Sequence, residues 1–487
     1  MGIVILPLYL GYMGAETYGL VSFFTMLQAW FNLLDMGLTP TVARETARLK
    51  GNAADTLNYR RLLRVLQIIF MGVAFLGAGL MLKSASFIAI HWLNIESLKF
   101  NDVELALKLI GLSIAIRWIS GLYKGCIIGA EKMTWLAGFN AVAATSRFIL
   151  ALPVLIWIGS SAFVFFAYQL IVSIIELTVL AFYAHQNFPK VPLGQKIGWT
   201  PIQLLPPINA VLKFSFTIAF TSAIWILVTQ IDKLLLSKLL PLHSYGYFSL
   251  AVLAASSVTM ISSPISVALL PRLSKMHAER NDKAMISLYR NAMQTIGAIV
   301  IPISILLAFF AEQILWVWTG DDFIATQFGP ILRLYSIGNG FMAMSSFPYY
   351  LQFAKGDLRL HFIGNLIFLI LLIPLMIWTT FTYGAKGAGY TWVSMNAAYF
   401  VIWTPVVHKR LLGQLKVQWI VGDLGRAIIC SGFAGFLMLC LSEWPRNRVY
   451  VLGILTAFGI ILLMMSVFAL SSFRQTFKKS ALKLAYR

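Results

Sequence analysis

The sequence predicts an all-α polytopic membrane protein, and three of its features support this fold class. Of its 487 residues, 59% are hydrophobic and only 11% are charged, and the mean hydropathy is +0.80. The apolar residues form successive runs that are long enough to cross a bilayer as helices. Basic residues concentrate in the short loops between those runs. Soluble domains do not have this balance, so we expect membrane-spanning helices along the whole chain.

The apolar runs predict about fourteen spans. The first run covers only about half a span, so either the first helix is short or the sequence begins inside a longer one; we favour the second. A cleavable signal peptide is not expected. The expected spans are 1–12, 18–41, 62–82, 105–128, 136–158, 162–184, 214–238, 245–270, 290–311, 329–353, 360–381, 387–407, 424–442 and 449–470.

The distribution of lysine and arginine predicts the orientation. Loops that follow even-numbered spans carry about four times as many of these residues as loops that follow odd-numbered spans, which places the even-side loops and the C-terminus in the cytoplasm. The net charge of +20 is therefore expected at the inner leaflet. Nucleic acid is not an expected partner.

A proline-rich loop predicts how the chain divides into domains. Residues 185–213 contain five prolines, which prevent a continuous helix, and they separate six spans from eight. We expect a six-helix bundle over 1–184, a cytoplasmic linker over 185–213, a second six-helix bundle over 214–407 and two further spans over 408–470. Residues 471–487 predict a basic amphipathic helix on the inner leaflet, with a frayed basic tail as the alternative.

Two local similarities indicate that the bundles are repeats of each other. Tyr18-Gly19 opens the second expected span and Tyr245-Gly246 opens the eighth. A short charged loop likewise precedes both Asn140 and Asn365. Both similarities are offset by six spans, an even number, so the repeats share one orientation and are expected to be related by an axis along the membrane normal.

Cations inside the apolar runs are the first candidates for a functional site. Arg117 lies near the middle of the run 105–128, and Lys124 lies seven residues later on nearly the same helical face, with Gly121 between them. Arg147 also lies near the middle of its run. A charge at that depth costs at least roughly 2.5 kcal/mol, so it should face protein, water or a ligand. The alternatives are neutralisation by Glu176 or Asp35 and, for Lys124, extension of the side chain to the membrane surface.

Acidic residues inside the spans are candidates for ion coupling, because a buried carboxylate can exchange a proton. They are Glu176, Asp35 and Asp232, of which Glu176 is favoured. Asp35 precedes Gly37 and Pro40, where a helix can break, so a structural role is equally compatible. Lys233 is a further candidate for anion binding, although a local ion pair with Asp232 explains it as well.

Features required by most membrane enzymes are not found. Of the six histidines, no pair has the spacing of metal ligands, and the three cysteines form no metal-binding motif. A glycine-rich phosphate loop is also lacking. We therefore expect neither catalytic residues nor a metal or cofactor, and a transporter rather than an enzyme.

Several motifs resemble those of polysaccharide flippases. They are Tyr18-Gly19, Asp35-Met-Gly37-Leu, Arg44-Glu45, Gln230-Ile-Asp232-Lys, Tyr245-Gly-Tyr247 and Pro271-Arg-Leu-Ser274. The chain is similar to Wzx-type O-antigen and oligosaccharide flippases, a branch of the multidrug/oligosaccharidyl-lipid/polysaccharide (MOP) exporter superfamily. The resemblance implies a MATE-like fold in the bacterial inner membrane.

The resemblance also implies a function and partners. The expected substrate is an undecaprenyl-pyrophosphate-linked oligosaccharide, moved from the cytoplasmic to the periplasmic leaflet by alternating access and coupled to H⁺ or Na⁺. Arg117, Arg147, Lys124 and Lys233 would receive the pyrophosphate in a cationic cavity, and a polysaccharide polymerase with its chain-length machinery would act next. The alternatives are a peptidoglycan-precursor flippase, a multidrug exporter and, least favoured, a glycan polymerase or ligase.

Overall fold

The computed structural model describes residues 2–35, 37–48, 53–188, 222–412, 424–441 and 444–469. Within these residues the regular elements are helices, and the one β-type contact is an isolated bridge between Asn94 and Pro241. The all-α prediction is therefore confirmed. Most of the expected linker and the expected amphipathic tail lie outside the described residues, so both stay predictions.

Contacts divide the chain into two units, Met1–Gly246 and Tyr247–Arg487. In the first unit, two helices contain or lead into a turn with π-helical hydrogen bonding, at Ile88–Trp92 and Thr145–Ile149. The helices of this unit are α1 Gly2–Met13, α2 Ala15–Phe31, α3 Leu38–Ala47, α4 Ala53–Phe87, α5 Phe100–Gly129, α6 Met133–Ala144, α7 Ala151–Trp157, α8 Ala162–Asn187 and α9 222–239.

Helix α10 begins in the first unit and continues into the second. A third π-helical turn, Tyr399–Trp403, lies in the second unit. The helices from this point are α10 Leu242–Ala278, α11 Asp282–Phe309, α12 Ala311–Thr319, α13 Asp322–Ser345, α14 Phe347–Lys355, α15 Arg359–Ala398, α16 Thr404–Leu412, α17 Gly425–Leu441 and α18 Arg448–Ala469.

Eight helical stretches of the described residues are long and apolar enough to cross a membrane, which supports a multi-pass membrane protein. The longest, Arg359–Leu411, contains two of the expected spans. They are separated at Gly384, whose φ of 60° and ψ of −140° are not helical and favour glycine. The break lies between the expected spans 360–381 and 387–407.

The second expected span is interrupted near Asp35. Helix α2 ends at Phe31, a 3₁₀ turn follows over Asn32–Asp35, and α3 begins at Leu38. Gly37 has a positive φ of 70°, and Asp35 Oδ1 accepts hydrogen bonds from the Thr39 hydroxyl at 2.6 Å and the Thr39 amide at 3.3 Å. Asp35 thus satisfies donors at the start of α3, as a cap does.

Glycines at every fourth position let α5 pack closely against α3. They are Gly121, Gly125 and Gly129, a pattern that allows helix backbones to approach in membranes. A Cβ on Gly125 would lie 2.7 Å from the carbonyl oxygen of Thr39 and 3.2 Å from Cβ of Val42. This stripe explains the glycine between Arg117 and Lys124.

Replacing Gly125 by alanine is therefore expected to destabilise the protein by about 1–3 kcal/mol, because the added methyl group overpacks the α3–α5 contact. The measurement is the thermal unfolding midpoint in detergent. Gly138→Ala is the matched control, since in the described part of the chain no atom beyond its own helix backbone lies within 4 Å of a Cβ at that position. Equal midpoints for the two variants would contradict this account.

At the opposite end of the first unit, Glu16 fixes the loop that precedes α5. Its carboxylate is buried, and it accepts hydrogen bonds from the amides of Glu96, Ser97 and Leu98 at 2.6–3.1 Å and from the Ser97 hydroxyl at 2.6 Å. Burial alone would raise the pKa of Glu16, but these hydrogen bonds outweigh it and hold the pKa below its ordinary value. Glu96 and His243 lie close to it, with their ligand atoms within 4.8 Å of one another. The hydrogen bonds from these backbone amides already account for the buried carboxylate of Glu16, which therefore has a structural role.

The lowered pKa of Glu16 predicts a pH-dependent contribution to stability. This contribution is present above the unfolded-state pKa and is lost as the pH falls through the lower folded-state pKa. Glu16→Gln should therefore be less stable than the wild type by about 1–3 kcal/mol at neutral pH, and the difference should shrink in strong acid. Thermal unfolding across pH tests this. Glu279→Gln, which changes an exposed glutamate beside Lys275, should show no such difference.

The two units contain polar contacts at corresponding positions. The first joins the fourth and sixth expected spans, and the second joins the tenth and twelfth. In the first, α5 packs along α8, and Arg117 Nη2 donates to Gln169 Oε1 at 2.7 Å. In the second, α13 packs along α15, and Trp392 Nε1 donates to Asn339 Oδ1 at 3.0 Å. Asn339 and Trp392 follow Arg117 and Gln169 by 222 and 223 residues. This is the correspondence expected of repeats, and only the first unit has a charge there.

Candidate substrate-binding site

Arg117 is held in the first unit by neutral acceptors from two neighbouring helices. Its guanidinium donates from Nε to Ser173 Oγ at 2.9 Å and from Nη2 to Gln169 Oε1 at 2.7 Å, both on α8. From Nη1 it donates to Gln28 Oε1 on α2 at 3.0 Å. The guanidinium carbon also lies 4.9 Å from the centre of the Phe24 ring. Among the described residues no carboxylate pairs with Arg117, so these contacts orient its charge without neutralising it.

Arg147 lies in the π-helical turn Thr145–Ile149 between α6 and α7. Such turns leave carbonyl groups without their usual helical partners, and they occur often at functional sites. Three side chains donate to these carbonyls: Tyr168 to Ser146 at 2.7 Å, Gln169 Nε2 to Arg147 at 3.0 Å and Tyr9 to Phe148 at 2.6 Å. The turn is thus stabilised by α1 and α8.

Gln169 joins the two arginines. Its amide oxygen accepts from the Arg117 side chain, and its amide nitrogen donates to the Arg147 backbone. Both the oxygen and the nitrogen of this amide therefore have hydrogen-bond partners, although Gln169 is only 3% exposed. Gln169 fixes the positions of both cations relative to α8.

Arg147 and Glu176 form an ion pair between Nη2 and Oε2. The glutamate side chain is 5% exposed and that of the arginine 21%. Within the described residues, Nε of Arg147 and Oε1 of Glu176 are buried without hydrogen-bond partners. Arg147 is thus neutralised by Glu176, which was one of the alternatives predicted from the sequence. The ion pair uses one atom of each group, Nη2 of Arg147 and Oε2 of Glu176.

Lys124 lies nearly two turns beyond Arg117 on α5 and is half-buried. It has no hydrogen-bond or ion-pair partner in the described part of the chain, and it interacts electrostatically with Arg147, Glu176 and Arg117. The cluster therefore contains three cations and one carboxylate. We call Arg117, Lys124, Arg147 and Glu176 the charged cluster.

The remaining candidates lie in other surroundings. Asp35 contacts Thr39, as described above. Asp232 is 2% exposed, and its carboxylate lies 3.9 Å from the Lys233 ammonium, which donates to the Thr229 carbonyl at 2.8 Å. The local ion pair expected for Asp232 and Lys233 is thus present. Roles for Lys233, Asp35 and Asp232 in binding or coupling stay predictions.

Sequence reasoning missed the neutral side chains that hold the cations. Gln169, Ser173 and Glu176 recur at intervals of four and three residues, which places them on one face of an otherwise apolar α8. A stripe of neutral polar and charged residues on one face of an apolar helix indicates a buried polar site. Gln28 and the tyrosines give weaker signals, because each is one polar group in an apolar run.

A family model described as polysaccharide biosynthesis protein matches residues 1–277, more than half of the chain. The chain belongs to this family. One curated relative of the chain is a putative O-antigen transporter from Shigella flexneri. It is 20% identical over 381 residues, which cover 78% of this chain and 87% of the relative.

Solved structures with the same fold also exist. The lipid II flippase MurJ, in an inward closed conformation, has a TM-score of 0.68 at 16% identity and covers 99% of this chain and 98% of its own. An inward-facing MATE family multidrug resistance transporter of the MOP superfamily has a TM-score of 0.64 at 14% identity, over 85% and 95%. The predicted MATE-like fold is confirmed, and the family to which the chain belongs agrees with the resemblance to polysaccharide transporters.

Proposed function

We propose that the protein is a flippase that moves an undecaprenyl-pyrophosphate-linked oligosaccharide from the cytoplasmic to the periplasmic leaflet of the bacterial inner membrane. The family, the name of the O-antigen transporter relative and the fold shared with a lipid flippase support this proposal. Movement would occur by alternating access coupled to H⁺ or Na⁺. The C-terminus would lie in the cytoplasm, as the loop charges predict.

The observation that carries the proposal is the excess of positive charge in the charged cluster. Three cations face one carboxylate inside a unit made of apolar helices. A charged cluster that only joined helices would be expected to contain equal numbers of opposite charges. An anionic ligand would neutralise the two extra positive charges. Arginine binds phosphate oxygens through two parallel hydrogen bonds, which suits it to a pyrophosphate.

Transport by proteoliposomes tests the proposal. Liposomes would contain the purified protein and a fluorescent undecaprenyl-pyrophosphate oligosaccharide, and a membrane-impermeant quencher would report the label in the outer leaflet. We expect the protein to raise the rate at which inner-leaflet label becomes quenchable at least ten-fold over empty liposomes. A rate equal to that of liposomes with a heat-denatured sample would contradict the proposal.

A peptidoglycan-precursor flippase is the second candidate, favoured by the structural similarity to the lipid II flippase. The same assay with labelled lipid II separates the two, because the proposed function predicts faster movement of the oligosaccharide lipid. A multidrug exporter for cationic compounds is disfavoured, since the excess charge of the cluster repels cations.

A further inference from the structure

We propose that Glu176 is a displaceable counter-ion: the anionic headgroup of the substrate takes its place on Arg147, and Glu176 then takes up a proton. This inference rests on the proposed function and deepens it, because it assigns the site an exchange of one anion for another. It also defines how a proton enters the transport cycle.

The first argument is that the Arg147–Glu176 pair is incompletely satisfied. One oxygen of Glu176 and the Nε of Arg147 are buried, and they have no hydrogen-bond partner among the described residues. A buried polar atom without a partner is destabilising, because its hydrogen bond to water is lost and not replaced. The pair therefore forgoes the bidentate geometry that makes arginine–carboxylate contacts strong.

The second argument is that a phosphate group can satisfy what Glu176 leaves unsatisfied. Its several charged oxygens can accept from both Nε and Nη2 of Arg147 at once. The arginine side chain is four times as exposed as the glutamate side chain, 21% against 5%. A ligand would thus reach the pair from the arginine side.

The third argument concerns the glutamate that is left behind. The elements that pack against α8 bring Arg117 and Lys124 from α5 and Arg147 from the π-helical turn towards Glu176. Arg117 is occupied by Gln28, Gln169 and Ser173, and Lys124 would also face the incoming anion. A buried carboxylate that loses its ion-pair partner favours the neutral form. Solvent supplies the proton, which binds one oxygen of Glu176, and no other bond is made or broken.

The consequence is a fixed sign for the effect of pH. If anion binding is accompanied by proton uptake, binding becomes tighter as the pH falls, and by reciprocity a bound anion favours protonation of Glu176. Release of the headgroup would return the proton, because Glu176 pairs again with Arg147. The direction of proton release would then follow the side of the membrane on which the headgroup leaves.

Calorimetry on the purified full-length protein in detergent tests the exchange. Inorganic pyrophosphate and sulfate are the probes, and sulfate stays fully ionised across the pH range used. Titrations in two buffers with different ionisation enthalpies give the number of protons taken up. We expect about one proton per bound sulfate for the wild type and none for Glu176→Gln.

The glutamine variant is also expected to bind both anions about ten-fold more tightly, with little dependence on pH, because it mimics the protonated glutamate. Glu104→Gln is the matched control, since Glu104 pairs with Lys108 at the far end of α5 at 2.7 Å. It should behave as the wild type does. The wild-type proton count needs no variant, so misfolding of Glu176→Gln cannot hide the answer.

The outcomes separate the exchange from the proposed function. Anion binding that depends on Arg147 but takes up no proton, with unchanged affinity in Glu176→Gln, would overturn the exchange and leave the cationic site standing. If neither anion bound the wild type and Arg147→Ala left transport intact, the cationic site itself would fail.

Discussion

Replacing Arg117 by alanine is expected to slow the movement of lipid-linked oligosaccharide by roughly 10- to 100-fold. This range corresponds to one charged hydrogen-bonding group of about 1.5–3 kcal/mol at a phosphate. Arg117 carries a charge that no carboxylate of the described residues pairs with. The measurement is the proteoliposome assay, together with display of surface glycan in cells whose own flippase has been deleted.

Loss of structure must be separated from loss of binding in this experiment. Arg117→Ala removes the donor for Gln28, Gln169 and Ser173, so some stability is lost as well. Arg117→Lys keeps the charge but lacks the planar guanidinium that can serve three acceptors, and it should retain an intermediate rate. Arg333→Ala is the matched control, because Arg333 lies in α13 and donates to the Ala308 carbonyl at 2.9 Å. Normal glycan display by Arg117→Ala would remove this residue from the site.

Replacing Arg147 by alanine should have the second large effect, because it leaves Glu176 buried without its partner. Breaking one side of a buried ion pair costs about 3–5 kcal/mol. We therefore expect a marked fall in the thermal unfolding midpoint and a loss of flipping of at least ten-fold. The double variant Arg147→Ala/Glu176→Ala removes both charges and should recover most of the stability.

The double variant distinguishes a structural ion pair from a binding group. If Arg147 serves the substrate, Arg147→Ala/Glu176→Ala stays inactive although it is stable. If the pair only joins α8 to the π-helical turn, the double variant recovers transport together with stability. The second result would leave Arg147 with a structural role alone.

The cations of the site could be predicted from sequence because the hydrocarbon region makes each charge costly, so Arg117 and Arg147 stand out in apolar runs. Their partners could not be predicted in the same way. Gln169 and Ser173 cost far less to bury, and nothing in a linear pattern shows which helix faces them. The choice of Glu176 over Asp35 as the partner of Arg147 depends on the packing of α8 against the π-helical turn.

The break near Asp35 illustrates the same division. Gly37 and Pro40 indicated that a helix could end there, because glycine allows a positive φ and proline lacks a donor. Only the folded chain gives Asp35 its contact with Thr39. The turn at Thr145–Ile149 had no such signal, since π-helical hydrogen bonding there is supported by Tyr9, Tyr168 and Gln169 from other helices.

Hydropathy and the cost of charge in lipid act on each segment separately, so the membrane class, the helical fold and the presence of buried positive charge can be predicted from the amino-acid sequence. The pairing of these charges could not be predicted in this way, because it depends on which faces of distant helices meet in the folded protein. Among the described residues, that packing pairs Glu176 with Arg147 and leaves Arg117 and Lys124 without a carboxylate as ion-pair partner.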